Sequence, residues 1–202
     1  IDQWLSSYDF SSSSSSKTIA IICAGNIPMV AFHDLICVYL TGNLIKLKLS
    51  SDDNLLIPSI VNILSNFDAD IYDQIDIVKG KMKDFDGVIA TGSNNTSRYF
   101  EEYFGKYPNI IRKSRTSIAV LDGSETKEDL EYLADDVFMY YGLGCRNVTK
   151  LYLPIGYDLD KVFEGFYCKK NVIQNNKYAN NYDYYKAIFL LEKYDLIENG
   201  FI

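Results

Sequence analysis

Cys145 stands in the run Gly142-Leu143-Gly144-Cys145-Arg146-Asn147. A thiolate is a strong acyl-transfer nucleophile when a substrate can approach it and a nearby cation favours its ionised form. The two glycines clear the approach, and Arg146 is a candidate for the cation. The opposing reading is an idle thiol, which suits Cys23 in an apolar run and Cys37 in a helical one, and Cys168 is left undecided. A second group, Ala24-Gly25-Asn26-Ile27-Pro28, directly follows an apolar run. Gly25 permits a sharp turn and Pro28 suits the first turn of a helix. Asn26 then either caps that helix or presents its amide to a developing oxyanion.

A third group is Ala90-Thr91-Gly92-Ser93-Asn94-Asn95-Thr96. Small residues at a helix start leave backbone N–H groups open to an anion, although an ordinary capped turn has the same composition. Neither GxGxxG nor GxxxxGK[ST] occurs, so the run is not a standard dinucleotide or P-loop fingerprint. Lys46 and Lys48 lie on one strand, and one of them is a candidate for a cofactor ribose or phosphate. His33, next to Asp34, either orients a substrate or, the commoner case for a helical histidine, serves as a structural hydrogen-bonding residue. A serine-hydrolase elbow of the GxSxG kind is absent.

These residues need elements to hold them. Residues 2–9 suggest a short helix around Trp4, Leu5 and Tyr8, and Ser11 to Ser16 reads as a linker or mobile loop. Strands are expected at 18–23, 44–49, 73–78, 87–90, 116–121 and 147–153. Helices are expected at 29–41, 54–66, 94–104, 126–142, 158–168 and 181–194. The packing positions expected are Val30, Phe32 and Leu35 in the first of these helices. In the second they are Leu55, Leu56, Ile60, Ile63 and Leu64, and in the fourth Leu130, Leu133, Val137 and Tyr141. Alternating strands and helices predict an α/β fold with a mainly parallel, Rossmann-type sheet covered by helices on both faces. Ligands on such sheets bind beyond the carboxyl ends of the strands, where Asn26, Lys48 and Thr91-Gly92-Ser93 fall.

Bulk properties narrow the functional classes. The chain has 202 residues, a formal net charge of −7 and 17 tyrosines. An acidic balance argues against a nucleic-acid partner. The apolar stretches fall short of a membrane span, and no secretory signal is visible. Four cysteines without a CxxC pair and a single histidine give no zinc pattern, and no metal is expected. Reduced thiols in a cytoplasmic protein are the simplest account. The chain begins at Ile1 and stops at Ile202, and the expectation is a piece of a longer protein.

From about Lys17 to Ile202 these segments resemble the aldehyde dehydrogenase superfamily. Within it they are similar to the bacterial long-chain acyl-CoA reductases of the type found in bioluminescence operons. The order and spacing of the three runs around Asn26, Gly92 and Cys145 carry the resemblance. It implies that Cys145 is the nucleophile and that the Asn26 amide and the Cys145 backbone N–H form the oxyanion hole. It also implies that Lys48 contacts the adenosine ribose or its phosphate, and that Thr91-Gly92-Ser93 meets the pyrophosphate. Aldehyde-oxidising members carry a water-activating glutamate. Here the corresponding run, Ile111-Arg112-Lys113-Ser114-Arg115, has no carboxylate.

Positioned proton transfer is worth about 10²–10⁴-fold, so its lack favours an acyl-enzyme that survives water. The resemblance thus implies NADPH-dependent reduction of an acyl-CoA, with NAD as the second possibility for the cofactor. The alternatives are a CoA-acylating aldehyde dehydrogenase using NAD and a non-catalytic cofactor-binding fragment. It further implies a homo-oligomer for the full-length protein. The expected organisation is an N-terminal helix and linker over 1–16, a dinucleotide-binding domain over 17–143, and the beginning of a catalytic thiol lobe over 144–202. That lobe is expected to be truncated, so the chain is expected to bind cofactor even if it does not turn over.

Overall fold

The computed structural model describes residues 3, 6–8 and 15–202. Trp4 and Leu5 of the expected N-terminal helix, and Ser11–Ser14 of the serine run, lie outside the described residues. Its chain contacts form two compact units, Ile1–Ser114 and Arg115–Ile202. The boundary expected at 143/144 falls inside the second unit.

In the first unit, β1 (Thr18–Ile22), β2 (Leu44–Lys48), β3 (Ile75–Ile77), β4 (Gly87–Thr91) and β5 (Asn109–Arg112) form one sheet. All neighbours are parallel and the order is β3-β2-β1-β4-β5. The chain therefore steps outward from β1 in one direction and returns to its other side through β4. This reversal is the topological switch point where such sheets bind ligands. Right-handed crossovers put the connecting helices of the two halves on opposite faces. On one face Ile21, Ile45, Leu47 and Ile75 pack against α1 (Phe32–Leu40) and α2 (Leu56–Leu64). On the other, Ala20, Val88 and Ala90 meet Phe100 and Phe104 of α4 (Asn94–Phe104), together with Met82 and Phe85.

The side chains of a strand alternate between faces. With Ile45 and Leu47 buried against the helices, Lys46 and Lys48 fall on the α4 face. α2 is apolar almost all round, so periodicity alone could not choose its inner face. The sheet selects Ile57 and Val61, while Leu55, Leu56 and Ile63, expected inside, are exposed. Each buried side chain of this kind stabilises the fold by roughly 1.5–3 kcal/mol. α1 starts three residues later than expected, because Met29 adopts a left-handed φ of 59°. Leu35 is buried as expected, and Phe32 is exposed. The strand expected at 73–78 is a single helical turn, α3 (Ile71–Gln74), followed by the short β3. Strand β5 was not anticipated.

The second unit pairs β6 (Ser117–Val120) with β7 (Val148–Tyr152) in parallel. α5 (Lys127–Phe138) connects them, and α6 (Leu159–Phe166) and α7 (Asn176–Leu191) follow. A capping box starts α5, in which Thr126 Oγ1 accepts from Asp129 N–H while an Asp129 carboxylate oxygen accepts from Thr126 N–H. Leu130, Ala134 and Phe138 of α5 build the core with Val162, Phe166 and Phe201. Tyr141, expected on that face, is exposed, because the chain leaves the helix at Phe138 and takes left-handed φ at Tyr140 and Tyr141.

Candidate functional site

The β1–α1 turn is held through its backbone N–H groups, by one backbone and one side-chain acceptor. Cys23 N–H donates to Lys48 O at 2.9 Å, and Met29 N–H donates to Asp53 Oδ2 at 2.6 Å. Gly25 lies so close to the chain after β2 that a Cβ there would come 2.3 Å from Ser50 Oγ. Asn26 is exposed and borders a cleft of about 290 Å³ shared with Pro28, Asp52 and Asp53. The N-cap of α1 is Ala31, with no side-chain cap, so Asn26 does not cap the helix. Pro28 likewise precedes the helix rather than lying in its first turn.

Thr91 ends β4 opposite Arg112, and Gly92 N–H donates to Arg112 O at 3.1 Å. A Cβ on Gly92 would press on Phe100 and Thr96 at 3.0 Å, so the turn lies flat against α4. Ser93 is the N-cap, its Oγ accepting Thr96 N–H at 3.2 Å. The capped-turn reading of this run is therefore correct. The start of α4, with its positive dipole end, stands at the carboxyl edge of β4, where an anion would be favoured. Lys48 ends β2 on the same edge, half-buried, its Nζ donating to Gly80 O at 3.1 Å. It borders a cavity of about 790 Å³ whose walls include Ile22, Lys81, Met82, Tyr99 and Tyr103. The first unit thus brings Asn26, Lys48 and Thr91-Gly92-Ser93 to one end of one sheet.

Sequence reasoning missed two residues. Asp34, buried in α1, pairs with Arg112 at 2.5 Å and ties the helix to the end of β5. The pair joins residues 78 positions apart, so no local pattern announces it. The second is Asn147, which lies in the second unit with Cys145.

Asn147 is buried, accepts Gly144 N–H on Oδ1 at 2.7 Å, and donates through Nδ2 to the carbonyls of Asp136 and Val137. Its own N–H donates to Gly144 O at 3.1 Å. One side chain thereby closes the end of α5 and locks a four-residue turn with Cys145 and Arg146 at its tip. The only local signal is an Asn three residues after a Gly. Cys145 is exposed, as a nucleophile must be. Replacing Asn147 with alanine would leave the half-buried Gly144 N–H and two helix-end carbonyls without this partner. The expected cost is about 1–3 kcal/mol. Urea unfolding checks it, and an unchanged midpoint would deny Asn147 this part.

The other cysteines differ. Burial, reinforced by Asp34 and Asp53, pushes the Cys23 thiol up to about 12. Burial also raises Cys37, whose Sγ lies 3.7 Å from the His33 ring nitrogens. Cys168 is exposed, with its thiol on Gly165 O. No group of three His, Cys, Asp or Glu residues suited to a metal occurs among the described residues. Among these residues no helix is long and apolar enough to cross a membrane.

The profile of the acyl-CoA reductase (LuxC) family matches residues 1–160. This chain belongs to that family. No curated protein matches it. Among solved structures it is similar to aldehyde dehydrogenase AldH of Staphylococcus aureus, with 16% identity and a TM-score of 0.56, over 77% of this chain and 36% of that one. The propionaldehyde dehydrogenase of a Clostridium phytofermentans microcompartment is 9% identical with a TM-score of 0.60, over 77% and 39%. Aldehyde dehydrogenase C of Pseudomonas syringae, solved with NAD+ and octanal, is 14% identical with a TM-score of 0.62, over 81% and 38%. The LuxC-family chain therefore has the aldehyde dehydrogenase-like fold expected from its sequence, and it spans somewhat over a third of the length of these structures.

Proposed function

We propose that this LuxC-family chain carries the cofactor site and the thiol of an NADPH-dependent reductase. The enzyme would convert a long-chain acyl-CoA to its aldehyde through an acyl-cysteine on Cys145. The observation that carries this reading is the exposed Cys145 at the tip of a turn locked by buried Asn147. The first unit suits a dinucleotide. Lys48 stands beside a cavity with aromatic walls, and the capped start of α4 offers its dipole to the pyrophosphate. NADPH is the proposed cofactor, and NAD the second possibility, with Lys48 at the end of β2 available to the adenosine ribose or its phosphate.

In the proposed reaction the Cys145 thiolate attacks the acyl-CoA carbonyl carbon. The Cys145 backbone N–H would donate to the oxyanion, and the family resemblance alone gives the Asn26 amide the part of second donor. The carbon–sulfur bond to CoA then breaks, CoA leaves as its thiolate, and the acyl group remains on Cys145 as a thioester. NADPH, which Lys48 and the Thr91-Gly92-Ser93 turn would hold, would supply the hydride that the acyl carbon takes up. Cys145 departs as thiolate when the aldehyde forms. Asp34, the carboxylate that Arg112 meets, is buried and paired, so it is no free base for hydrolysing the thioester.

A long acyl chain is supported by a cleft of about 410 Å³ in the second unit, lined by Phe138, Leu143, Tyr178, Tyr182 and Phe189. Leu143 is two residues ahead of the thiol. The whole protein is expected to be a cytoplasmic homo-oligomer. Intact-mass measurement after mixing the chain with a long-chain acyl-CoA tests the proposal. One acyl adduct per chain is expected, and a chain that stays unmodified while Cys145 still reacts with iodoacetamide would reject it.

A further inference from the structure

We infer that Tyr141 sets the longest acyl chain that the second unit accepts, by closing one end of the apolar cleft beside Leu143. This rests on the acyl-cysteine reading above and goes beyond it by naming the side chain that measures the substrate.

Two clefts of the second unit meet at the end of α5. The first, of about 410 Å³, is the one bordered by Leu143. The second, of about 300 Å³, is bordered by Met139, Cys168 and Val172. Phe138 and Tyr141 line both, so these two rings form the partition between them. Phe138 is the fixed part. It is buried, and its ring centroid lies 5.7 Å from that of Phe166 and 5.9 Å from that of Phe201. Tyr141 is exposed, outside that core, and is the part a substitution can remove.

The backbone points to the same residue. Tyr140 and Tyr141 take left-handed φ of 51° and 59°, and Gly142 follows at 72°. A bulky side chain is uncommon there, and glycine would hold the same turn without strain. Such strain collects at functional sites. The turn is closed by main chain alone, Leu143 N–H donating to Tyr140 O at 3.1 Å. What a tyrosine at 141 adds is therefore its ring. The same segment runs on through Leu143 to Cys145, so ring and thiol are carried by one continuous stretch of chain.

The first cleft suits a hydrocarbon tail. Lys186 and Glu198 pair at 2.6 Å, and the Tyr182 hydroxyl donates to the same carboxylate. The Tyr178 hydroxyl donates to Phe201 O at 2.7 Å. These polar groups satisfy one another and leave apolar wall to the chain. A tail gains up to roughly fourfold in affinity per buried methylene, and it stops gaining once it meets the ring.

The test follows acylation of Cys145 by straight-chain acyl-CoAs from octanoyl to octadecanoyl, at submicellar and subsaturating concentrations, by intact mass. In the parent chain the rate should rise with length and then level off. In Tyr141→Gly the rise should continue, and the longest substrate should react about tenfold faster than on the parent chain. Tyr141→Asn, whose short side chain also tolerates left-handed φ, should behave alike, and Tyr141→Phe should keep the parent's limit. The same limit in the parent and in both small variants overturns the inference and leaves the acyl-cysteine reading intact, as does a rate that ignores chain length. A parent chain that forms no adduct with any of these substrates removes the reading and the inference together.

Discussion

Replacing Cys145 with alanine should abolish both the acyl adduct and aldehyde formation, while nucleotide binding to the first unit is retained. The loss is expected to be complete, because no other thiol in the chain is a comparable nucleophile. Only the thiolate attacks, and the fraction ionised falls tenfold for each pH unit below the pKa. Cys23, pushed up to about 12, is almost wholly protonated at neutral pH. Cys37 is raised in the same direction by burial and by Asp34. Cys168 is the nearest rival because it is exposed, yet it follows α6 without the glycine-lined turn of Cys145. Retention of the binding step is expected because the thiol belongs to the second compact unit and the cavity proposed for the nucleotide to the first. Intact mass reads the adduct and calorimetry reads the binding. An acyl adduct that persists in the alanine variant would end the assignment of Cys145.

Asn26→Ala has the next largest expected effect, slowing acyl transfer by about 10²–10³-fold, or roughly 2.7–4 kcal/mol in the barrier. The argument is one of charge. Attack turns a carbonyl oxygen into an oxyanion, and a donor placed in advance stabilises that charge more than it stabilises the starting ester. The turn carrying Asn26 is held by the Met29–Asp53 and Cys23–Lys48 bonds and by the close approach of Gly25 to Ser50. A thermal melt of the Asn26→Ala chain separates an effect on chemistry from one on the turn. Quenched time points by mass spectrometry give the rate of adduct growth. A rate within a fewfold of the parent chain would take Asn26 out of the oxyanion site.

Much of the fold was legible because its causes are local. The helix over 94–104 has its expected bounds, since Ser93 caps it and Gly105 follows its last turn. Strands β1, β2 and β4 follow from short apolar runs closed by turn residues. Where several apolar residues competed for one inner face, as in α2, local pattern was not enough. Strand β5 escaped because Asn109-Ile110-Ile111-Arg112 is short and mostly outside the core.

The chemistry-bearing residue types, their order along the chain and their places at strand ends were determined by the sequence itself. Glycines, caps and apolar runs act over a few residues and can be read there. Tertiary structure alone decided that the loop around Lys81 is drawn to β2 by lysines more than thirty positions earlier. It alone decided that Arg112 is neutralised by Asp34, and that one buried amide at Asn147 holds the cysteine turn. Those outcomes depend on which distant polar groups must find partners once the core closes, because a buried donor or charge left alone is costly. Such requirements arise only when the chain is folded.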